Sequence, residues 1–167
     1  MNHSYKKYVK YLKYIHPTNY ELEFSIVGFI ICWALILPNI VWQIFPPINN
    51  LLLINASSYT NYPILNILEW IFRVSIIFLL IFLVNKNKSK NKTSYIIVAI
   101  VFLTIYYIFW ILYYLGIANL ELIILGMVIA PIFYFSFTGL WLKNYILLVP
   151  SLLFGIIHLI ISSLSYL

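Results

Sequence analysis

Residues Pro63 to Val84 read PILNILEWIFRVSIIFLLIFLV, and the reading of this stretch decides the fold. At ~1.5 Å per residue it makes roughly 33 Å of helix, about the thickness of a bilayer's hydrocarbon core. Yet it carries Arg73, the only arginine of the chain, and Glu69, one of its four acidic residues. Four apart with the acid first, the two share a helical face in the orientation that favours an ion pair. The stretch therefore reads as a membrane-crossing helix with an internal charge pair. Directly behind it, Asn85-Lys86-Asn87-Lys88-Ser89-Lys90-Asn91-Lys92 marks the side of the membrane on which it ends.

Composition agrees with a membrane reading. Hydrophobic residues make up 64% of the chain and charged residues 8%, against about 45–50% and about 25% in soluble domains. A water-soluble globule of this composition would lack the polar surface to cover itself. The net charge of +6 does not point to nucleic acid, because the lysines cluster in short segments beside apolar runs, at 6–13, 86–92 and 143. There they act as topology signals and as contacts for anionic lipid head groups. Cys32 is alone in an apolar run, so one chain can build neither a disulfide nor a thiolate metal site.

Outward from the central stretch, four more crossings are predicted, giving an all-α bundle of five transmembrane helices in a single domain spanning 1–167. The first runs over about 24–45, is interrupted by Pro38-Asn39 and ends at Pro46-Pro47. Pro38 lacks an N–H and should kink its outer half. The second is 63–84. The third, 95–115, crowds Tyr106, Tyr107, Trp110, Tyr113 and Tyr114 into its second half. The fourth, 119–142, begins near Glu121 and carries Gly126-x-x-x-Ala130 followed by Pro131, small residues that allow close helix approach. The fifth, 145–164, holds Pro150, Gly155 and His158. Residues 1–20 do not read as a removable signal peptide. Tyr5, Tyr8, Leu12 and Ile15 recur at helical spacing away from Lys6, Lys10 and Lys13, which predicts a short basic amphipathic helix on the membrane surface. Asn55-Ala56-Ser57 matches a glycosylation acceptor, a pattern common by chance in an Asn-rich chain, and is assigned no role.

With the N-terminus cytoplasmic and the C-terminus outside, every lysine falls on the cytoplasmic side and neither outer loop has a lysine or arginine. That orientation sets depths. Glu69 lies about six residues below the outer face, ~9 Å, and Arg73 about ten, ~15 Å, near the midplane. His158 lies about six residues from the outer end of the fifth helix. Asn39, Gln43 and the tyrosines of the third helix share that layer. A charge in a span needs a partner, and Glu69 is the nearest to Arg73. Three readings follow: a self-neutralising pair that locks helix packing, a contact with another membrane protein, or an outward-facing pocket. In the pocket reading, Glu69, Arg73 and His158, with Asn39 and Tyr106, bind a small molecule or ion. One histidine and scattered glutamates make a thin coordination set, so no metal and no cofactor is expected.

Two local stretches resemble the CAAX-protease and bacteriocin-processing family of intramembrane enzymes. Leu68-Glu69-Trp70-Ile71-Phe72-Arg73 is similar to its Glu-Glu-x-x-Phe-Arg motif, with Leu68 at the first glutamate, and Phe154-Gly155-Ile156-Ile157-His158 to its Phe-x-x-x-His motif. The resemblance implies that Glu69 and His158 activate water for peptide cleavage. The segments LPNIVWQIFPP, ILEWIFR and GLWLKNYILLVPSLLFGIIH are similar, in that order, to small multi-pass membrane proteins of low-GC Gram-positive bacteria. That resemblance implies a fold and a cell-membrane location, and no chemistry. Length and five crossings also resemble the porphyrin- and sterol-binding translocator protein family, in architecture alone. The expected functions, in order, are a non-enzymatic ligand- or ion-binding membrane protein, an interaction protein such as an immunity or assembly subunit, and an intramembrane hydrolase.

Overall fold

The computed structural model describes residues 19–48, 62–86, 91–117 and 119–166. Its first helix, α1, spans Ile26–Ile44 and so starts two residues later than predicted, because Ser25 caps it: the Ser25 Oγ accepts from the Gly28 N–H at 3.0 Å. The residues before the cap are extended. Strand β1, Tyr20–Leu22, pairs antiparallel with β2, Leu83–Asn85, with Tyr20 opposite Asn85, Glu21 opposite Val84 and Leu22 opposite Leu83. Main-chain bonds continue the pairing on both sides, from Glu23 N–H to Phe82 O (2.9 Å), Ser25 N–H to Ile81 O (2.7 Å) and Lys86 N–H to Asn19 O (2.9 Å). The second helix, α2, is Pro63–Phe82, and β2 takes the last two residues of its predicted span.

The remaining helices fall close to their predicted limits. Helix α3 is Thr93–Tyr114. Helix α4 has three parts: α-helical Leu120–Ile123, π-helical Ile124–Ile129 and α-helical Ala130–Trp141. The wide turn lies just before Pro131, which has no N–H for the Met127 carbonyl and whose ring crowds it. A single 3-10 turn, Tyr145–Leu147, leads into α5, Leu148–Tyr166. Among the described residues, five helices are long and apolar enough to cross a membrane. Phe29, Ile30, Trp33 and Leu37 on α1 and Ile67, Trp70 and Phe78 on α2 face outward, as bilayer-contacting side chains do. The chain has the build of a multi-pass membrane protein. The predicted amphipathic helix before Asn19, the Asn55-Ala56-Ser57 site, and Lys88 and Lys90 lie outside the described residues.

The helices alternate in direction. The start of α1 is bonded to the end of α2, the Tyr95 ring at the start of α3 meets Phe137 near the end of α4 at 6.4 Å, and the end of α3 reaches the end of α1 through Tyr114. Lys86, Lys92 and Lys143, the lysines among the described residues, thus share one end of the bundle, hereafter the lysine end. Asn144 fastens α5 to that end. Its Nδ2 donates to Leu79 O (2.8 Å) and Leu83 O (3.0 Å), while its Oδ1 accepts from Leu147 N–H (3.3 Å). Leu79 lies in the last turn of α2, its carbonyl also accepting the Leu83 N–H, and Leu83 is the residue that caps the helix. Just before Asn144, Lys143 adopts the left-handed conformation (φ 56°) that closes α4 in a Schellman turn, a role Gly116 (φ 73°) plays at the end of α3. The Lys143 carbonyl accepts from the Tyr20 hydroxyl (3.2 Å) and from Asn85 Nδ2 (2.8 Å).

Packing relies on small residues at crossings. A Cβ on Gly28 would lie 1.9 Å from Leu80 O, so α1 and α2 touch backbone to backbone there; Gly126 on α4 receives the Phe109 ring of α3, and Gly155 on α5 faces Ile132. Helix α1 is further tied by tyrosine hydroxyls. Tyr107 donates to Ala34 O at 2.7 Å, Tyr134 to Ile31 O at 2.9 Å and Tyr114 to Phe45 O at 2.9 Å. The Ala34 carbonyl is the one that Pro38 leaves without an intrahelical donor, and Tyr107 supplies the missing partner.

Candidate functional site

Glu69 lies in the buried stripe of α2, in line with Ile76 and Leu80, where apolar side chains are the rule. Its carboxylate is 4% exposed. One oxygen, Oε1, takes two partners: Nη2 of Arg73, one turn further along the same helix, and Nδ1 of His158 on α5, 2.9 Å away. The same i, i+4 spacing operates on α5, where Phe154 and His158 stack with ring centroids 5.1 Å apart and planes 14° from parallel. Phe154 in turn lies under the guanidinium, with Arg73 Cζ 5.7 Å from its ring centre. Four side chains from two antiparallel helices form a closed ring, acid to cation to aromatic to imidazole and back to the acid.

The ring is placed asymmetrically. Glu69 is six residues from the Pro63 end of α2 and Arg73 ten, about 9 Å and about 15 Å, so the cluster occupies the half of the bundle away from the lysines. The carboxylate is enclosed and the imidazole 19% exposed, while the Arg73 side chain is 52% exposed. His158 presents Nδ1 to Glu69, which leaves Nε2 as the nitrogen through which it would act on anything else. A carboxylate on one imidazole nitrogen fixes ring orientation and prepares the other for proton transfer or hydrogen bonding. The guanidinium offers a planar fork of donors, of which Glu69 takes part.

The five predicted site residues separate into two groups. Glu69, Arg73 and His158 converge between α2 and α5. Asn39 and Tyr106 meet between α1 and α3, where Asn39 Nδ2 donates to the Tyr106 hydroxyl oxygen at 2.7 Å and to Leu35 O at 3.4 Å. Tyr106 is buried and its ring meets Trp110 edge-on. Phe154 is the member that sequence reasoning left out of the site; its position four residues before His158 was the available signal. Among the described residues no three His, Cys or acidic side chains gather into a set that could hold a metal ion. No family model, curated protein or solved structure matches the chain.

Proposed function

We propose that the chain is a cell-membrane protein with its lysine end in the cytoplasm, and that the Glu69, Arg73 and His158 cluster in the outer half of the bilayer binds a small ligand or ion. The observation that carries this reading is the uneven burial of the pair: the carboxylate is enclosed while the guanidinium bonded to it is half open. A pair serving only to lock helices would gain most by enclosing both partners, since a charge left facing hydrocarbon is costly. The orientation is supported by the gathering of Lys86, Lys92 and Lys143 at one end. Thermal stability of the purified full chain against a panel of anions, cations and zwitterions tests the site. A ligand should raise the unfolding temperature of wild type and not of Glu69→Gln/Arg73→Gln; equal shifts in both, or none in either, reject the reading. For orientation, an external thiol reagent on intact cells should modify Ser57→Cys and spare Lys88→Cys.

A second reading, hydrolysis within the membrane, is favoured by the 2.9 Å approach of His158 Nδ1 to Glu69. It brings together the two stretches that resemble intramembrane-protease motifs. In this reading the dyad takes a proton from a water held at Nε2. Incubation with membrane-inserted peptides should give cleavage that Glu69→Gln and His158→Ala both abolish; intact peptide with wild type excludes it.

A further inference from the structure

The cluster uses only part of Arg73. Nη2 is bonded to Glu69 and one face of the guanidinium lies toward Phe154, yet half of the side-chain surface stays open. This occurs at the middle of an apolar helix, Pro63–Phe82, where the medium offers no hydrogen-bond acceptor of its own. Nothing in the cluster answers the open edge, because the Glu69 carboxylate is enclosed on the inner side between Arg73 and His158. An occupant of the open edge must therefore bring its own negative charge and acceptor atoms. A guanidinium fork matches two oxygens of one carboxylate or phosphate.

The flanks of the open edge describe the rest of the occupant. One turn toward Pro63 is Trp70, exposed; one turn the other way is Ile77, partly exposed; and on α5, one turn beyond Phe154, is Ile157, partly exposed. These are apolar surfaces on both sides of a single cation. A small hydrated anion would leave them uncovered and would shed its water shell to reach a depth of about 15 Å. An amphiphile reaches that depth laterally, with its chain in hydrocarbon throughout.

We infer that the open edge of Arg73 binds the carboxylate or phosphate head of an anionic amphiphile whose apolar chain lies along Trp70 and Ile77. The inference rests on the reading of the cluster as a ligand site and names the class of ligand. Its shared chemistry is a two-oxygen anionic head, available from a fatty acid, from a phospholipid or, without the chain, from free phosphate.

The test uses the full chain in phosphatidylcholine nanodiscs and follows its unfolding temperature with added oleate, oleyl alcohol or inorganic phosphate, and in nanodiscs that also contain phosphatidylglycerol. Oleate or phosphatidylglycerol should stabilise wild type, and whichever does so identifies the source of the head group. Arg73→Lys should weaken the effect about tenfold in concentration, the loss of one bond of a charge-assisted pair. The double variant Glu69→Gln/Arg73→Gln, which removes both charges and strands neither, should abolish it. An equal shift with oleyl alcohol, an equal shift with inorganic phosphate, or persistence of the shift in the double variant overturns the inference. If a cation or zwitterion stabilises in a Glu69-dependent way while neither amphiphile does, this inference falls and the ligand-site reading stands. If nothing stabilises in a cluster-dependent way, both fall.

Discussion

At the lysine end, the backbone before α1 is bonded to the backbone after α2, and the side chains of Tyr20, Asn85 and Asn144 all finish on main-chain carbonyls. In the opposite half, Glu69, Arg73 and His158 meet side chain to side chain. The first arrangement satisfies groups that every chain carries, at the point where helices end. The second introduces groups that no helix needs. The contrast is one of kind: neutral, backbone-directed bonds fasten the lysine end, whereas in the other half a buried carboxylate draws two partners to one oxygen.

The comparison is broken most severely at Glu69. Glu69→Ala strands the guanidinium of Arg73 and should destabilise the protein by about 3 kcal/mol, read from reversible unfolding in detergent or bicelles. Glu69→Gln/Arg73→Gln should recover most of that loss, and failure to recover would mean that the pair itself holds α2 against α5. Next comes Asn144→Ala, which removes the side-chain donor from the Leu79 and Leu83 carbonyls in a site only 1% exposed; a loss of about 2 kcal/mol is expected. Tyr107→Phe removes the hydroxyl that answers the Pro38 gap and should lose about 1 kcal/mol, near the usual value for a hydrogen bond between transmembrane helices. In the Tyr107→Phe variant, amide exchange should quicken around Ala34 and Pro38 before it does elsewhere in α1.

The smallest effect lies at the exposed ion pairs of the lysine end. Lys86 bonds Glu23 and lies 3.7 Å from Glu21, and the hydrogen bond to Glu23 raises its pKa above the ordinary 10.5. A lysine that holds its proton more tightly when folded contributes stability that is complete below 10.5 and fades as pH rises through the raised value. Burial raises Tyr20 in the same direction from 10.0, whereas burial lowers Lys143 and works against them. Comparing unfolding temperatures from neutral pH to beyond 10.5 in wild type and Lys86→Gln should show a slight alkaline loss that is smaller in the variant and that salt diminishes.

The five crossings were legible because hydropathy over about twenty residues is an additive signal that needs no knowledge of neighbours. The meeting of Glu69, Arg73 and His158 was partly legible for a related reason. Helical spacing pairs the first two, and depth alone puts the third at their level once the direction of each crossing is assumed. What escaped is carried by long-range backbone pairing. Tyr20-Glu21-Leu22 has no strand pattern of its own and becomes one only because Leu83-Val84-Asn85 arrives beside it. Nothing local to Asn144 indicates that its amide lands on carbonyls at the end of α2. Of the α3 tyrosines only Tyr106 was assigned to the pocket; that Tyr107 and Tyr114 donate to the Ala34 and Phe45 carbonyls depends on which helix stands opposite.

The single oxygen shared by Arg73 and His158 has a consequence for how the protein is made. Glu69 and Arg73 lie on one helix, so their bond can form while α2 enters the bilayer alone, and α2 crosses as a nearly neutral segment. His158 belongs to the last-made of these five helices, which is entered through the 3-10 turn that follows Asn144. Until the fifth span docks, the carboxylate has Arg73 alone for a partner.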